Sequence, residues 1–389
     1  MHTVENHPRA VLAIALGIFA LMTSELLPVG LLTPIGSELE VSAGTAGLMV
    51  TVPGLLAAVS APTITVLAAR LDRRTLLVAL TSLMAAANLV SAIAPTFPVI
   101  LLARLAIGVS VGGFWAVAGG LAVRLVPEHG VARATAIIFG GVSTASVVGV
   151  PAGTLLGDTV GWRAAFATVG VLGLIAAAAL RALVPPLPPG EPVTIKTLPA
   201  LLRGNRGVRT GLLITTLLIT GHFAAYTFVR PLLQETSNIT GGTTGLLLMA
   251  YGIAGITGNF LAGSRVRNHV RETLLTVALA IASTLALLAV PGQGPVTGTL
   301  LLAVWGLAYG AVSVSLQTWM LQAAPNAAAA ASALFVSAFN LSIALGALLG
   351  GLAADGLATR AVLGVGGVLA LLTALTVAAG TPATTRTHH

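Results

Sequence analysis

Residues 99–157 read VILLARLAIGVSVGGFWAVAGGLAVRLVPEHGVARATAIIFGGVSTASVVGVPAGTLLG, two apolar runs joined by a short basic loop. Each run is long enough to cross a bilayer, which takes about 20 residues of α-helix. The first carries a single arginine, Arg104, deep in an otherwise uncharged segment. An ionised group at that depth costs several kcal/mol, so it either faces a partner or a wet cavity or is paired structurally to backbone carbonyls. The second run places Ala145, Gly149, Gly153 and Gly157 four apart, with Pro151 among them. On a helix these positions form one smooth stripe that another backbone can approach closely, and the proline is a place to bend. Such a stripe serves either as a static contact or as a sliding one.

The rest of the chain is built the same way. Of its 389 residues, 56% are hydrophobic and 8% charged, against the roughly 25% charged of a soluble domain, and its mean hydropathy is +0.99. Apolar runs suited to spanning lie at about 10–31, 44–68, 75–95, 97–123, 134–156, 162–183, 210–233, 243–263, 272–291, 296–322, 329–353 and 361–380. These predict an all-α membrane protein of twelve helices, and with so many apolar spans a closed barrel is excluded. The chain has no cysteine, so neither a disulfide framework nor a thiolate metal site is expected. No metal-binding motif, phosphate loop or nucleophile motif occurs, so an enzyme and a self-contained ATP-driven pump are not expected, and no cofactor is implied.

The net charge of +8 could suggest a nucleic-acid partner, but its distribution gives it another cause. Of the nineteen Lys and Arg residues, Arg163, Arg230 and Arg360 lie on one side, Arg104 lies inside, and the remaining fifteen share the other side. The positive-inside rule then places both termini in the cytoplasm. No nucleic acid is needed to explain the charge; the lipid bilayer is the partner.

The longest polar connection, about 184–209, is rich in proline and divides six helices from six. It reads as a cytoplasmic linker, with a short surface helix near 197–202, between an N-terminal bundle at 1–183 and a C-terminal bundle at 210–389. Leu67-Ala68-Ala69-Arg70 after the second helix is echoed by Leu261-Ala262-Gly263-Ser264-Arg265 after the eighth. Two pseudo-symmetric six-helix halves are an arrangement of secondary transporters, whose solute sites lie near the bilayer midplane.

Glu25, in TSELLPVGLL, is the only acid in the interior of any run. At 1.5 Å of rise per residue, Glu25 lies roughly 9 Å and Arg104 roughly 10 Å below the outer ends of their runs. Desolvation favours a neutral carboxyl and a nearby arginine opposes this, so the pair is a candidate proton carrier with its tuning base. The alternatives are a permanent structural pair or a helix-end acid beside Pro28. Phe114 and Trp115 lie too deep for an interfacial belt, and either line a solute cavity or simply pack. His222, Tyr226 and Arg230 fall four apart on one face of the seventh run. His222 either titrates, hydrogen-bonds a solute or is a satisfied core histidine. Trp305 and Tyr309 in the tenth run, and Asn340 in the eleventh, add polar or aromatic groups at membrane depth; Asn340 reads as an interhelical hydrogen-bonding residue or a solute ligand.

These residues resemble the major facilitator superfamily, specifically its twelve-helix drug:proton antiporter branch, over nearly the whole chain. Arg104 with Gly108 and Gly112 is similar to the family's helix 4 motif, which implies a part in proton coupling. Gly149, Pro151 and Gly153 resemble the helix 5 antiporter motif, with Val150 in place of the usual glycine before proline. After the second helix the family pattern is Gly-x-Leu-Ala-Asp-Arg-x-Gly-Arg-Arg. This chain has Thr65, Leu67, Ala68, Ala69, Arg70, Asp72, Arg73 and Arg74, so the acid is missing at 69 and one stands at 72, where it is a candidate for the missing charge latch to the neighbouring bundle. The runs LLTPIG, GGFWAV, LAVRLVP and GWR look most like the purine ribonucleoside and sugar exporters. The resemblance implies a monomeric, proton-coupled antiporter of the multidrug-resistance type in a bacterial cytoplasmic membrane, exporting a small molecule (drug, nucleoside or sugar-like). Glu25 is then expected to carry the proton, Arg104 to tune it, and Phe114, Trp115, His222, Tyr226, Trp305, Tyr309 and Asn340 to line the solute path. The helix 5 stripe is expected to let the halves rock over one another. Uptake by symport or uniport, and a receptor that does not transport, are the alternatives.

Overall fold

A computed structural model describes residues 6–67, 71–118, 121–188, 197–237, 239, 243–292 and 294–380; Arg70 lies outside them. The described residues contain twelve helices long and apolar enough to cross a membrane. They are α1 (Pro8–Glu38), α2 (Ala43–Ile64), α3 (Arg73–Ala92), α4 (Phe97–Ala118), α5 (Glu128–Thr159), α6 (Trp162–Leu183), α7 (Arg206–Tyr226), α8 (Thr243–Gly263), α9 (Asn268–Leu288), α10 (Pro295–Ala323), α11 (Ala330–Gly356) and α12 (Ala361–Ala379). No strand occurs among the described residues. An eight-residue helix, Thr197–Gly204, lies in the connection before α7.

The chain forms two compact units. The first comprises Met1–Val41, Val52–Val193 and Gly241–Met249; the second comprises Ser42–Thr51, Thr194–Thr240 and Ala250–His389. The start of α2 thus belongs with the second unit and the start of α8 with the first, so the division is not a plain cut at the linker. In the second unit, Asp355 at the end of α11 accepts hydrogen bonds from the Ser42 hydroxyl at 2.5 Å and the Gly44 amide at 2.8 Å. A carboxylate there meets the unsatisfied N–H groups at the start of α2.

Proline explains where the helices depart from regularity. Pro151 has no N–H to give the carbonyl one turn back. Over Ala145–Gly149 the helix widens into a π-turn, in which the Val150 amide bonds the Ala145 carbonyl, five residues back. Pro231 likewise cannot serve the Thr227 carbonyl. The seventh run, expected to be continuous over 210–233, instead stops at Tyr226 and restarts as Val229–Ser237. Arg230, which follows the break, is buried.

Glycine stripes set the closest helix contacts within each unit. In the first, a methyl group on Gly149, Gly153 or Gly157 of α5 would overlap Thr23, Leu27 or Leu31 of α1, and one on Gly30 of α1 would overlap Thr154. The stripe on α5 therefore lies against α1 inside one unit. Its glycines are filled by α1, while the Pro151 carbonyl faces Gly245 of α8, 3.0 Å from where a methyl group on that glycine would sit. The second unit repeats the device, with Gly346 and Gly350 of α11 against Thr220 and Ala224 of α7. Fifth on first and eleventh on seventh are equivalent pairs, so the weak repeat in the sequence is matched in the packing.

Candidate functional site

The first buried polar group is assembled on α1. Pro28 leaves the Ser24 carbonyl without its helical donor. Arg104, from α4 and wholly buried, fills that need: its Nη1 donates to the Ser24 carbonyl at 2.8 Å and its Nη2 to the Glu25 carbonyl at 2.9 Å. A buried carbonyl left unpaired costs about 1–3 kcal/mol, so arginine and proline answer each other. The Glu25 side chain is 6% exposed, and the guanidinium lies within electrostatic reach of its carboxyl. Asn88 of α3 completes the cluster, its Nδ2 donating to Ser24 Oγ at 2.7 Å and to the Met84 carbonyl at 2.8 Å. The sequence reading missed Asn88 and Ser24. A polar residue in mid-span and a proline four residues after Ser24 were the available signals.

Around this cluster, Gly108 and Gly112 let α4 approach α2, where a methyl group would meet Pro53 and Leu56 or Ala57 and Ser60. Phe114 is fully buried among apolar side chains, against Gly17 and Leu180. Trp115 is half-buried, its ring 5.7 Å from that of Phe139.

The second buried polar group is aromatic and lies wholly in the second unit. Tyr309, His222, Tyr226 and Tyr251 form a column of near-parallel rings, with successive centroids 3.5, 5.0 and 4.9 Å apart and interplanar angles of 9°, 20° and 28°. Trp305 stands edge-on along the column, 5.5 Å from His222, 5.9 Å from Tyr226 and 6.1 Å from Tyr251. Its indole Nε1 donates to His222 Nδ1 at 3.1 Å. The chain has three tyrosines in all, and all three are in this column. His222 and Tyr226 meet because they are one turn apart on α7; Tyr251, on α8, was not foreseen, since nothing local in its run marks it. Two polar atoms of the cluster, His222 Nε2 and Tyr251 Oη, are buried with no hydrogen-bond partner, each at a cost of about 1–3 kcal/mol.

Asn340 is buried and donates from Nδ2 to the Val336 carbonyl of its own helix at 2.9 Å. Asp72 caps α3, accepting from the Thr75 amide at 2.9 Å and from the Leu187 amide at 2.6 Å. Arg73 donates its amide to the Leu187 carbonyl, and Arg74 Nη1 reaches the Val184 carbonyl at 3.4 Å. This basic segment thus ties the start of α3 to the chain leaving α6, within the first unit. Both Asp72 oxygens are bonded within the first unit, Oδ1 to Thr75 of the cap and Oδ2 to Leu187. Burial would raise the Asp72 carboxyl, but the bonds from Thr75 and Leu187 and the charge of Arg74 outweigh it and hold it below the usual carboxylate range.

Comparison with known proteins fixes the family. The model for the Major Facilitator Superfamily matches residues 13–347. The chain belongs to the major facilitator superfamily. It is 38% identical over 349 residues to the transcription regulatory protein OpdE of Pseudomonas aeruginosa, covering 89% of this chain and 87% of that one. It is 34% identical over 370 residues to the purine ribonucleoside efflux pump NepI of Salmonella enteritidis, covering 95% and 93%. Among solved structures, a bacterial homologue of the human lysosomal transporter Spinster, inward-facing and unoccupied, superposes with a TM-score of 0.73 at 16% identity over 96% of this chain and 94% of that one. This superfamily member is thus a multi-pass membrane protein of the transporter fold, and not an enzyme.

Proposed function

We propose that the protein is a proton-coupled exporter of a small molecule, working by alternating access as an antiporter in a bacterial cytoplasmic membrane, with both termini inside. The observation that carries this reading is Glu25, an acid buried in mid-helix whose own peptide carbonyl is held by the buried Arg104. A carboxyl so placed changes charge only when its surroundings change, which suits a group that loads and releases one proton per cycle. Arg104 is its tuning base and fixes α1 at the bend, the glycines of the helix 5 motif pack on α1, and the protein acts as a monomer. The 34% identity to a purine ribonucleoside efflux pump supports export and puts nucleosides first among candidate solutes. His222, Tyr226, Trp305 and Tyr309 form the solute-binding wall; Phe114, Trp115 and Asn340 are further candidates for the solute path.

The test is inosine flux in proteoliposomes under an imposed pH gradient. Wild-type protein moves inosine against its gradient when protons flow the other way, and Glu25→Gln, with an unchanged melting temperature, does not. Full pH-driven transport by Glu25→Gln removes the carrier assignment. A second reading is favoured by the 38% identity to a protein named as a transcription regulator: a membrane sensor that binds a solute without moving it. Ligand-dependent stabilisation together with no flux of any tested solute decides for that reading.

A further inference from the structure

The aromatic column of the second unit holds more chemistry than packing requires. Buried tyrosine and tryptophan usually find hydrogen-bond partners, and Trp305 has found one in His222 Nδ1 at 3.1 Å. Indole N–H can only donate, and imidazolium has no free acceptor. His222 Nδ1 therefore carries a lone pair, the ring is neutral, and its single proton sits on Nε2. That is the atom left without a partner, on a side chain 1% exposed. Tyr251 Oη, 5% exposed as a residue, is in the same position. Along the column the only half-buried ring is Tyr309, which is stacked directly on His222.

We propose that His222 Nε2–H is a specificity-determining donor for a planar solute that carries a carbonyl oxygen or ring nitrogen at its edge, and that Trp305 is the positioning residue that fixes the tautomer. The rings of Tyr226, Tyr251 and Tyr309 supply flat π-faces, and Tyr251 Oη supplies a second hydrogen bond. Binding satisfies both orphaned atoms, whereas an apolar ring leaves Nε2–H unmet, and a sugar, whose hydroxyls can accept that bond, offers no flat face to the aromatic rings. A site built to bond such an acceptor discriminates against solutes lacking it because the protein donor is otherwise buried unpaired. The chemistry is that of a nucleobase-like heterocycle, and the inference rests on the transport reading only for its name of solute, since binding itself needs no proton.

The experiment uses the full chain in lipid nanodiscs, with equilibrium binding of inosine, uridine, ribose and naphthalene and with nitrogen NMR of histidine-labelled protein, assigned by difference against His222→Phe. Expected are binding of inosine or uridine but of neither ribose nor naphthalene, and a single His222 tautomer protonated at Nε2. His222→Phe keeps the ring and loses at least ten-fold in affinity. His222→Gln, which restores an N–H, recovers part of it. Trp305→Phe loses several-fold and turns the His222 signal into a mixture of tautomers, a change that mere packing would not make. Melting temperatures identify any variant that fails to fold, and the wild-type spectrum and selectivity stand without variants. A proton on Nδ1 in the wild type, unchanged affinity in His222→Phe, or a wild type that binds neither heterocycle or binds ribose equally well overturns the proposal. Failure here leaves the Glu25 flux result untouched, and loss of proton coupling leaves these binding results untouched.

Discussion

The two buried polar clusters solve the problem of polarity in oil in opposite ways. In the first unit, Arg104 is met by backbone: Pro28 releases the Ser24 carbonyl and the guanidinium takes it together with that of Glu25. In the second unit, His222 is met by a side chain, Trp305; each cluster keeps polar atoms without partners, Asn88 Oδ1 in the first and the donors His222 Nε2 and Tyr251 Oη in the second. A charge whose fork is bonded to main chain is a fixed point about which a neighbouring acid can titrate. A neutral donor left unmet is, on the proposal above, the point at which a solute bonds. On the reading proposed above, the contrast is one between a coupling site and a recognition site, although both are built on the first helix of their half, α1 or α7, and both helices are gripped by a glycine stripe from the fifth helix of that half.

The comparison can be broken most easily at Arg104. Arg104→Leu leaves the Ser24 carbonyl buried and unpaired beside an acid that has lost its counter-charge. The expected cost is about 3–5 kcal/mol, the range for breaking a buried charged contact, read as loss of the folded peak in detergent chromatography or a large fall in melting temperature. A variant as stable as wild type contradicts the assigned anchor. Next in size is Gly30→Val, which drives a branched side chain into Thr154; overpacking of this kind costs about 1–3 kcal/mol, and the double variant Gly30→Val/Thr154→Ala should recover part of it.

Pro28→Ala sharpens the same point. It restores a helical N–H to the Ser24 carbonyl, so Arg104→Leu should cost less in that background than in the wild type. A coupling of at least about 0.5 kcal/mol in the double-mutant cycle is expected, as for residues in one hydrogen-bond network; strict additivity would show that proline and arginine do not share the carbonyl. An effect of similar, small size is expected at the N-terminal end of α3. Asp72→Ala removes a helix cap worth about 1 kcal/mol. Because the folded carboxyl is held below its ordinary range, its contribution is present at neutral pH and lost as pH falls through the folded value. Wild type and Asp72→Ala should therefore differ in stability at pH 7 and converge only below about pH 4.

Much of this was legible because it is local. Twelve apolar runs become twelve spans, since hydropathy over 20 residues is a property of the segment alone. Glu25 and Arg104 stand out as ionised types in apolar company, and His222 and Tyr226 share a face by spacing. What was not legible depends on partners far along the chain. Tyr251 joins the column only because α8 packs beside α7, and Asn88 matters only because α3 brings it to Ser24. The glycines at 149, 153 and 157 declare a close approach without saying to what, and the structure answers α1. Pro231 ends the regular helix one turn early, so the seventh run is broken between Tyr226 and Val229.

Central to the account is the division of labour between Glu25, which couples, and His222, which recognises. The most direct test compares, for Glu25→Gln in proteoliposomes, inosine counterflow, which exchanges solute without net proton movement, with inosine accumulation driven by a pH gradient. The account predicts that counterflow persists near the wild-type rate while driven accumulation is lost. Driven accumulation that survives, or loss of counterflow and accumulation together in a variant that still folds, would contradict it.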